Sequence, residues 1–148
     1  MEDLEQETAE RTGEGEVILI GDFNAITNSK QTDLSPLEPT QKDDEDSKKE
    51  WPRDSWDNIS TDSHGEALLR LCNNTQLLIA NGVKKWPNTH KYTCHTTAGK
   101  SVIDYLLLTE GCVEKVQNFY IKDLQPESYH FPLHVQVDWN TPKKTPKL

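Results

Sequence analysis

Four consecutive apolar residues, Val17-Ile18-Leu19-Ile20, run straight into Gly21-Asp22-Phe23-Asn24-Ala25. So short a run, closed by a glycine and two Asx residues, predicts a buried strand over 16–20 rather than a helix. In extended chain the side chains at i and i+2 leave the same side of the backbone. Asp22 and Asn24 are therefore expected side by side at the mouth of a strand. A carboxylate takes up a proton or faces a cation, and a carboxamide donates N–H groups without adding charge. That pair suits phosphate-ester chemistry, in which negative charge spreads over the phosphoryl oxygens. The alternative from the same residues is an Asx-turn that only ends the strand.

The chain has 148 residues, of which 33% are apolar, and a formal charge of −9. Ordinary domains hold roughly 45–50% apolar residues with glycine included, so much of this chain lies outside any core. The acids cluster before Val17 and in Asp43-Asp44-Glu45-Asp46. A helix is expected over 1–12. The aperiodic stretch 28–58 is too long for a compact loop and is expected to be an insertion, disordered in part, that Trp51 and Trp56 dock back onto the core. Ser63 and Glu66 form a capping-box pattern ahead of Ala67, Leu68, Leu71 and Cys72, which share a helical face. That helix should end near Asn73-Asn74. Strands are expected over 77–80, 91–96, 102–108, 116–122 and 133–139, with a basic flexible tail at 141–148. Cys72, Cys94 and Cys112 form no CxxC pair, and no apolar run approaches the roughly 18 residues of a membrane helix. The expectation is an intracellular protein, nuclear or cytoplasmic, with reduced thiols and no membrane partner.

Three further features bear on chemistry. Asp104 interrupts the apolar run Val102-Ile103-Asp104-Tyr105-Leu106-Leu107-Leu108. A carboxylate there either reaches solvent at a strand end or faces a cleft and orients a histidine. Ser128-Tyr129-His130-Phe131-Pro132-Leu133 supplies a histidine beside the last strand, fit to move a proton or to steady a phosphoryl group as imidazolium. His134 lies four residues on, but Pro132 opposes helical ligand geometry. His90, Cys94 and His95 match no zinc spacing. Finally, no Asp or Glu occurs from Ala67 to Ile103, while Lys84, Lys85, Lys91 and Lys100 alternate there with Trp86 and Tyr92. This island reads either as a nucleic-acid-binding surface or as an ordinary solvated face.

Taken in order, Gly21-Asp22-Phe23-Asn24-Ala25, Ser101-Val102-Ile103-Asp104-Tyr105 and Ser128-Tyr129-His130-Phe131-Pro132-Leu133 resemble the endonuclease/exonuclease/phosphatase superfamily. The resemblance is nearest to the endonuclease domain of LINE-type retrotransposons, which Gly65-Glu66-Ala67-Leu68-Leu69 and Leu78-Ile79-Ala80-Asn81-Gly82 also resemble. It spans about 16–139. It implies an α+β fold, the C-terminal half of a four-layered α/β/β/α sandwich within 1–140, and phosphodiester hydrolysis on DNA with Mg²⁺ or Mn²⁺. By position, Asp22 would help activate water, Asn24 would hold a phosphate oxygen, Asp104 would orient His130, and His130 would face the scissile phosphate. Two departures qualify this. The family's early Asn and metal-binding Glu have no visible counterpart, so the metal ligands are not assignable and a missing N-terminal half in trans, or a homodimer, is expected. Tyr129 also stands where the family has Asp, and a phenol is a poor ligand for a hard cation. The resemblance therefore implies an impaired, metal-dependent endonuclease fragment. The alternative is a non-catalytic remnant that binds nucleic acid weakly, and a phosphatase or lipid phosphodiesterase of the same superfamily is the more distant reading.

Overall fold

The computed structural model describes residues 1–34 and 50–139. About half of the expected insertion and the whole tail at 141–148 lie outside them. The elements run α1 (Glu2–Glu14), β1 (Ile18–Asp22), α2 (Ser63–Thr75), β2 (Leu77–Ile79), β3 (Cys94–Thr96), β4 (Gly99–Ser101), β5 (Asp104–Thr109), a 3-10 helix (Glu110–Lys115), β6 (Val116–Ile121) and β7 (Leu133–Val137). The fold is α+β with small antiparallel sheets.

β5 is the centre of the molecule. It lies between β1 and β2, antiparallel to both, in the order β1-β5-β2. Its residues 104–108 are all buried. Period-two alternation divides them between two cores. Tyr105 and Leu107 join Leu68, Leu71, Leu77 and Ile79 beneath α2. Leu106 and Leu108 join Leu78, Trp86, Val116 and Phe119, against which the β6–β7 ribbon lays Leu133 and Val135. A strand covered on both faces reads as an unbroken apolar run, which is why 102–108 gave no alternation in the sequence.

β1 begins and ends two residues later than expected. Val17 is held outside the strand, its N–H donating to Thr109 Oγ1 (3.1 Å) and its carbonyl accepting the Thr109 N–H (3.0 Å). Pairing then continues through Asp22, opposite Asp104. The other edge of β1 pairs with no strand among the described residues, and Ile20 is 49% exposed. The expected strands at 91–96 and 102–108 resolve into the β3–β4 hairpin and the shorter β5, because Val102 and Ile103 give their N–H groups to Asp57 and Thr93 side chains instead of a ladder.

The ends of the aperiodic stretch are anchored. Gln31 bonds Trp51 and Ile79 carbonyls (both 2.8 Å) and receives the Ile79 N–H. Arg53 is buried and pairs as a bridge with Val83. Trp51 packs against the second core.

α2 corrects the expected cap. Asp62, not Ser63, is the N-cap: its carboxylate accepts the Gly65 N–H (2.6 Å) and also the Ile26 N–H (3.1 Å). Asp62 wins because the chain leaving β1 crosses the helix N-terminus and supplies a second donor that fixes the carboxylate. Glu66 turns instead to Lys30 (3.3 Å). The helix runs to Thr75 and stops at Gln76, in the left-handed region (φ 60°).

That crossing depends on Gly65. Helix propensity alone favours alanine over glycine by about 1 kcal/mol, but a Cβ at Gly65 would sit 1.8 Å from the Ile26 carbonyl oxygen. No backbone oxygen tolerates that approach, so the steric term decides the sign. Gly65→Ala is expected to lower the unfolding free energy by about 1–3 kcal/mol, read from the urea midpoint. A stabilised variant would contradict this account of the crossing.

Candidate active site

The β1–β5 register sets Asp22 directly opposite Asp104. Like charges in facing positions repel, and the half-exposed position of Asp22 lets solvent screen much of that repulsion. The compensating charge is His130. Its Nδ1 lies 3.0 and 3.1 Å from the two Asp104 oxygens, so the ring donates Nδ1–H to that carboxylate. Its Nε2 faces Asp22 Oδ2 at 3.7 Å. One donor atom from each of Asp22, Asp104 and His130 falls within 4.8 Å of the others.

His130 reaches this position through the segment that precedes β7. Its main chain bridges to Cys94, the Phe131 N–H donates to the Thr93 carbonyl (2.8 Å), and the Tyr129 carbonyl accepts the His95 N–H (2.8 Å). Asp104 is fixed by groups that sequence reasoning did not assign to the site. Thr93 Oγ1 accepts the N–H groups of both Ile103 and Asp104 at 3.0 Å. Asn81 donates to the Asp104 carbonyl and accepts the Leu106 N–H, both at 2.9 Å. Asp57 takes the Val102 N–H at 3.1 Å. Of these only Asn81 carries a signal in the sequence, as a polar residue directly after the apolar run Leu77-Leu78-Ile79-Ala80.

Asn24 corrects the side-by-side expectation. It adopts a left-handed backbone (φ 46°), and its N–H donates to Asp22 Oδ1 (2.8 Å). This is the Asx-turn, so the i, i+2 rule for extended chain does not apply. The Asn24 carboxamide is exposed and forms no hydrogen bond among the described residues, while its carbonyl accepts from His64 Nδ1 (2.9 Å). Tyr129 is 65% exposed. Of the four lysines, Lys85 pairs with Glu114 (3.5 Å) and Lys84 is exposed beside it in sequence. Lys91 and Lys100 line a groove with Lys122. His134 stacks on Tyr120, and His90 meets the Trp56 ring; neither joins a metal-ligating cluster among the described residues.

Burial pushes the Asp104 carboxyl up, against hydrogen bonds from His130 and Thr93. The hydrogen bond to Asp104 pulls His130 up, helped by the charges of Asp104 and Asp22 and opposed by burial. Burial also raises the Cys94 thiol, with the two aspartates adding to it. The arrangement holds a proton between two carboxylates, offers Asp22 to solvent, and orients one imidazole. All three cysteines are buried thiols.

Comparison of the chain with protein-family models, curated proteins and solved structures yields no match. No helix among the described residues is long and apolar enough to cross a membrane.

A group whose pKa is higher in the fold than in the unfolded chain stabilises the fold below its unfolded value, and that contribution is lost as pH rises through the folded value. His130, with an ordinary value of 6.5, is raised, and so is Asp104, so both act in this direction. The melting temperature should therefore fall between about pH 6 and about pH 8. His130→Gln should flatten that decline. A variant with the same slope would remove His130 from the account.

Proposed function

We propose that this chain carries the phosphodiester-cleaving site of a retrotransposon-type DNA endonuclease, within the endonuclease/exonuclease/phosphatase superfamily, with impaired turnover. The observation that carries this reading is the meeting of Asp22, Asp104 and His130 from three distant segments. The helix layer over β1-β5-β2 and the β6–β7 ribbon are compatible with part of a four-layered sandwich. The open edge of β1 offers a place for a strand from a further segment or a second copy.

The chemistry follows from the side chains. Asp104 fixes the imidazole by holding Nδ1–H, which leaves Nε2 to meet a phosphoryl or leaving oxygen. Asp22 has Oδ1 committed to the Asn24 N–H and Oδ2 directed to the same space as Nε2. A Mg²⁺ or Mn²⁺ ion that keeps most of its water and takes its remaining ligands from the substrate fits this donor set, with Asp22 as its carboxylate. His130 is less suited as a ligand because the Asp104 bond reserves it for the proton. When bound, such a cation would neutralise charge on the phosphate oxygens. Asn24, at the corner beside Asp22, would donate to a phosphate oxygen, and the lysines would hold the DNA backbone.

A second reading, a non-catalytic remnant, is favoured by Tyr129 in the position of the family's aspartate. Nicking of supercoiled plasmid with Mg²⁺ or Mn²⁺ separates the two. Slow nicking is expected, falling by about 10²–10⁴ in His130→Ala and rising in Tyr129→Asp. Absence of nicking in both the wild-type chain and Tyr129→Asp would leave the remnant reading. Independently of turnover, Mn²⁺ should broaden the Asp22 and Asp104 amide resonances in wild-type protein but not in Asp22→Asn.

A further inference from the structure

Beside the carboxylate–imidazole site runs a groove with a different chemistry. Trp56 forms its aromatic floor. The indole meets His90 at 5.5 Å (79°) and Tyr92 at 5.4 Å (61°), both edge contacts rather than stacks. Those contacts leave Trp56 48% exposed. Its main chain is nonetheless fixed: the backbone N–H donates to the His90 carbonyl (2.8 Å), and the backbone carbonyl accepts the Tyr92 hydroxyl (3.3 Å). A large, half-open ring on a fixed main chain is a poor core residue and a good stacking platform.

Cations surround it. Lys91, Lys100 and Lys122 line the groove against a single acid, Asp123. None of the three lysines is in an ion pair among the described residues, in contrast to Lys30 and Lys85. Lys100 Nζ lies 6.0 Å over the Tyr92 ring. In a chain of charge −9, next to two aspartates, this local positive surface runs against the average. The groove volume is about 190 Å³. Pockets that enclose a drug-sized ligand hold roughly 300–1,000 Å³, so this one takes a single planar ring.

We propose that this groove binds single-stranded nucleic acid, with one unstacked base on Trp56 and the flanking phosphates on Lys91, Lys100 and Lys122. The proposal rests on the reading of the chain as a phosphodiester-handling domain and adds to it a subsite for an unpaired stretch of the nucleic acid. A paired duplex keeps its base faces stacked on each other and has none to offer Trp56. Recognition by ring stacking and backbone charge is tolerant of sequence. The groove also adjoins the chemistry. Phe131, the residue after His130, forms part of its wall, and the Lys122 N–H donates to the Pro132 carbonyl (2.8 Å).

The test uses the full chain in EDTA, so that binding is read without cleavage. The probe is fluorescein-labelled oligothymidylate of about 12 nucleotides, within the ~4–16 that single-strand sites span, compared by anisotropy with a duplex of equal length. The single strand should bind about 10-fold or more tightly than the duplex. Trp56→Ala should weaken it by about 5- to 100-fold, as loss of one stacked base does. Trp56→Phe should retain most of the affinity, and Lys122→Glu should weaken binding while lowering its salt dependence. In wild-type protein, the indole N–H resonance absent from Trp56→Phe should shift when oligothymidylate is added. That readout does not depend on how well Trp56→Ala folds. Equal affinity for single strand and duplex, or an unmoved Trp56 indole at saturation, would overturn the proposal. Binding without nicking sinks the enzyme reading and leaves the groove; nicking with an unmoved indole sinks the groove and leaves the enzyme.

Discussion

One interstrand register controls this molecule. β1 and β5 pair so that Asp22 faces Asp104 and, at the far end, Ile18 faces Leu108. A slip of one residue would turn Tyr105 and Leu107 toward the β6–β7 side and Leu106 and Leu108 toward α2, exchanging the two cores. The register is therefore held by the full apolar content of the domain and pinned by the Thr109–Val17 clasp. The separation of the two carboxylates is a by-product of that packing. A repulsive pair persists at one end of the sheet because the rest of the sheet leaves it no other place.

The same strand is supported by buried polar groups that are hydrogen-bonded at most of their atoms, Arg53 Nη2 being an exception. Arg53 is the largest of them. Its Nε donates to the Asn81 carbonyl (2.7 Å), and its Nη1 donates to Thr27 Oγ1 (3.2 Å) and to the Lys30 carbonyl. Burial brings its pKa down to about 10, still far above neutrality. The guanidinium thus remains charged with backbone carbonyls, not a carboxylate, as its main partners. It ties the chain that leaves the Asp22 corner to the loop after β2. Tyr105 closes the arrangement from below, its hydroxyl 2.7 Å from the Ala25 carbonyl and within reach of Thr27. Interior hydrogen bonds of this kind contribute little net stability while satisfied and cost much when one partner is removed. Their effect is to fix the loops around the site in one arrangement.

What the sequence disclosed followed the range of the forces involved. Helix α2 was legible from its local apolar period, and strands β1, β5, β6 and β7 from short runs of apolar and β-branched residues bounded by polar or turn residues. Asp104 stood out because a charge inside an apolar run needs a reason. The cap at Asp62 was not legible: its second donor, Ile26, arrives from 36 residues away. The Asn24 turn was legible only as one of two alternatives. The side-by-side reading carries extended geometry past the end of the strand, whereas a carboxylate at Asp22 can capture the N–H two residues on. Thr93 and Asn81 act on Asp104 only through pairing that the chain order does not announce. The groove at Trp56 was half visible, as lysines interleaved with aromatics, but Lys122 lies outside that island and joins it only in space.

Under the proposed reading, the direction of the two proton affinities decides how labour is divided. Asp104 and His130 both move upward, the first by burial and the second by its bond to the first. A histidine with a raised pKa spends more of its time at neutral pH as imidazolium than an unperturbed one does. It is then better placed to give a proton to a departing oxygen, or to steady phosphoryl charge, than to take a proton from water. Water activation falls to the solvent-facing carboxylate of Asp22, alone or through a cation bound there. Such a cation, adding positive charge within a few ångströms of Nε2, would drive the imidazole pKa back down. Under that reading metal and proton would compete for the space between Asp22 and His130. Whichever occupies it cancels the repulsion that the β1–β5 register builds in.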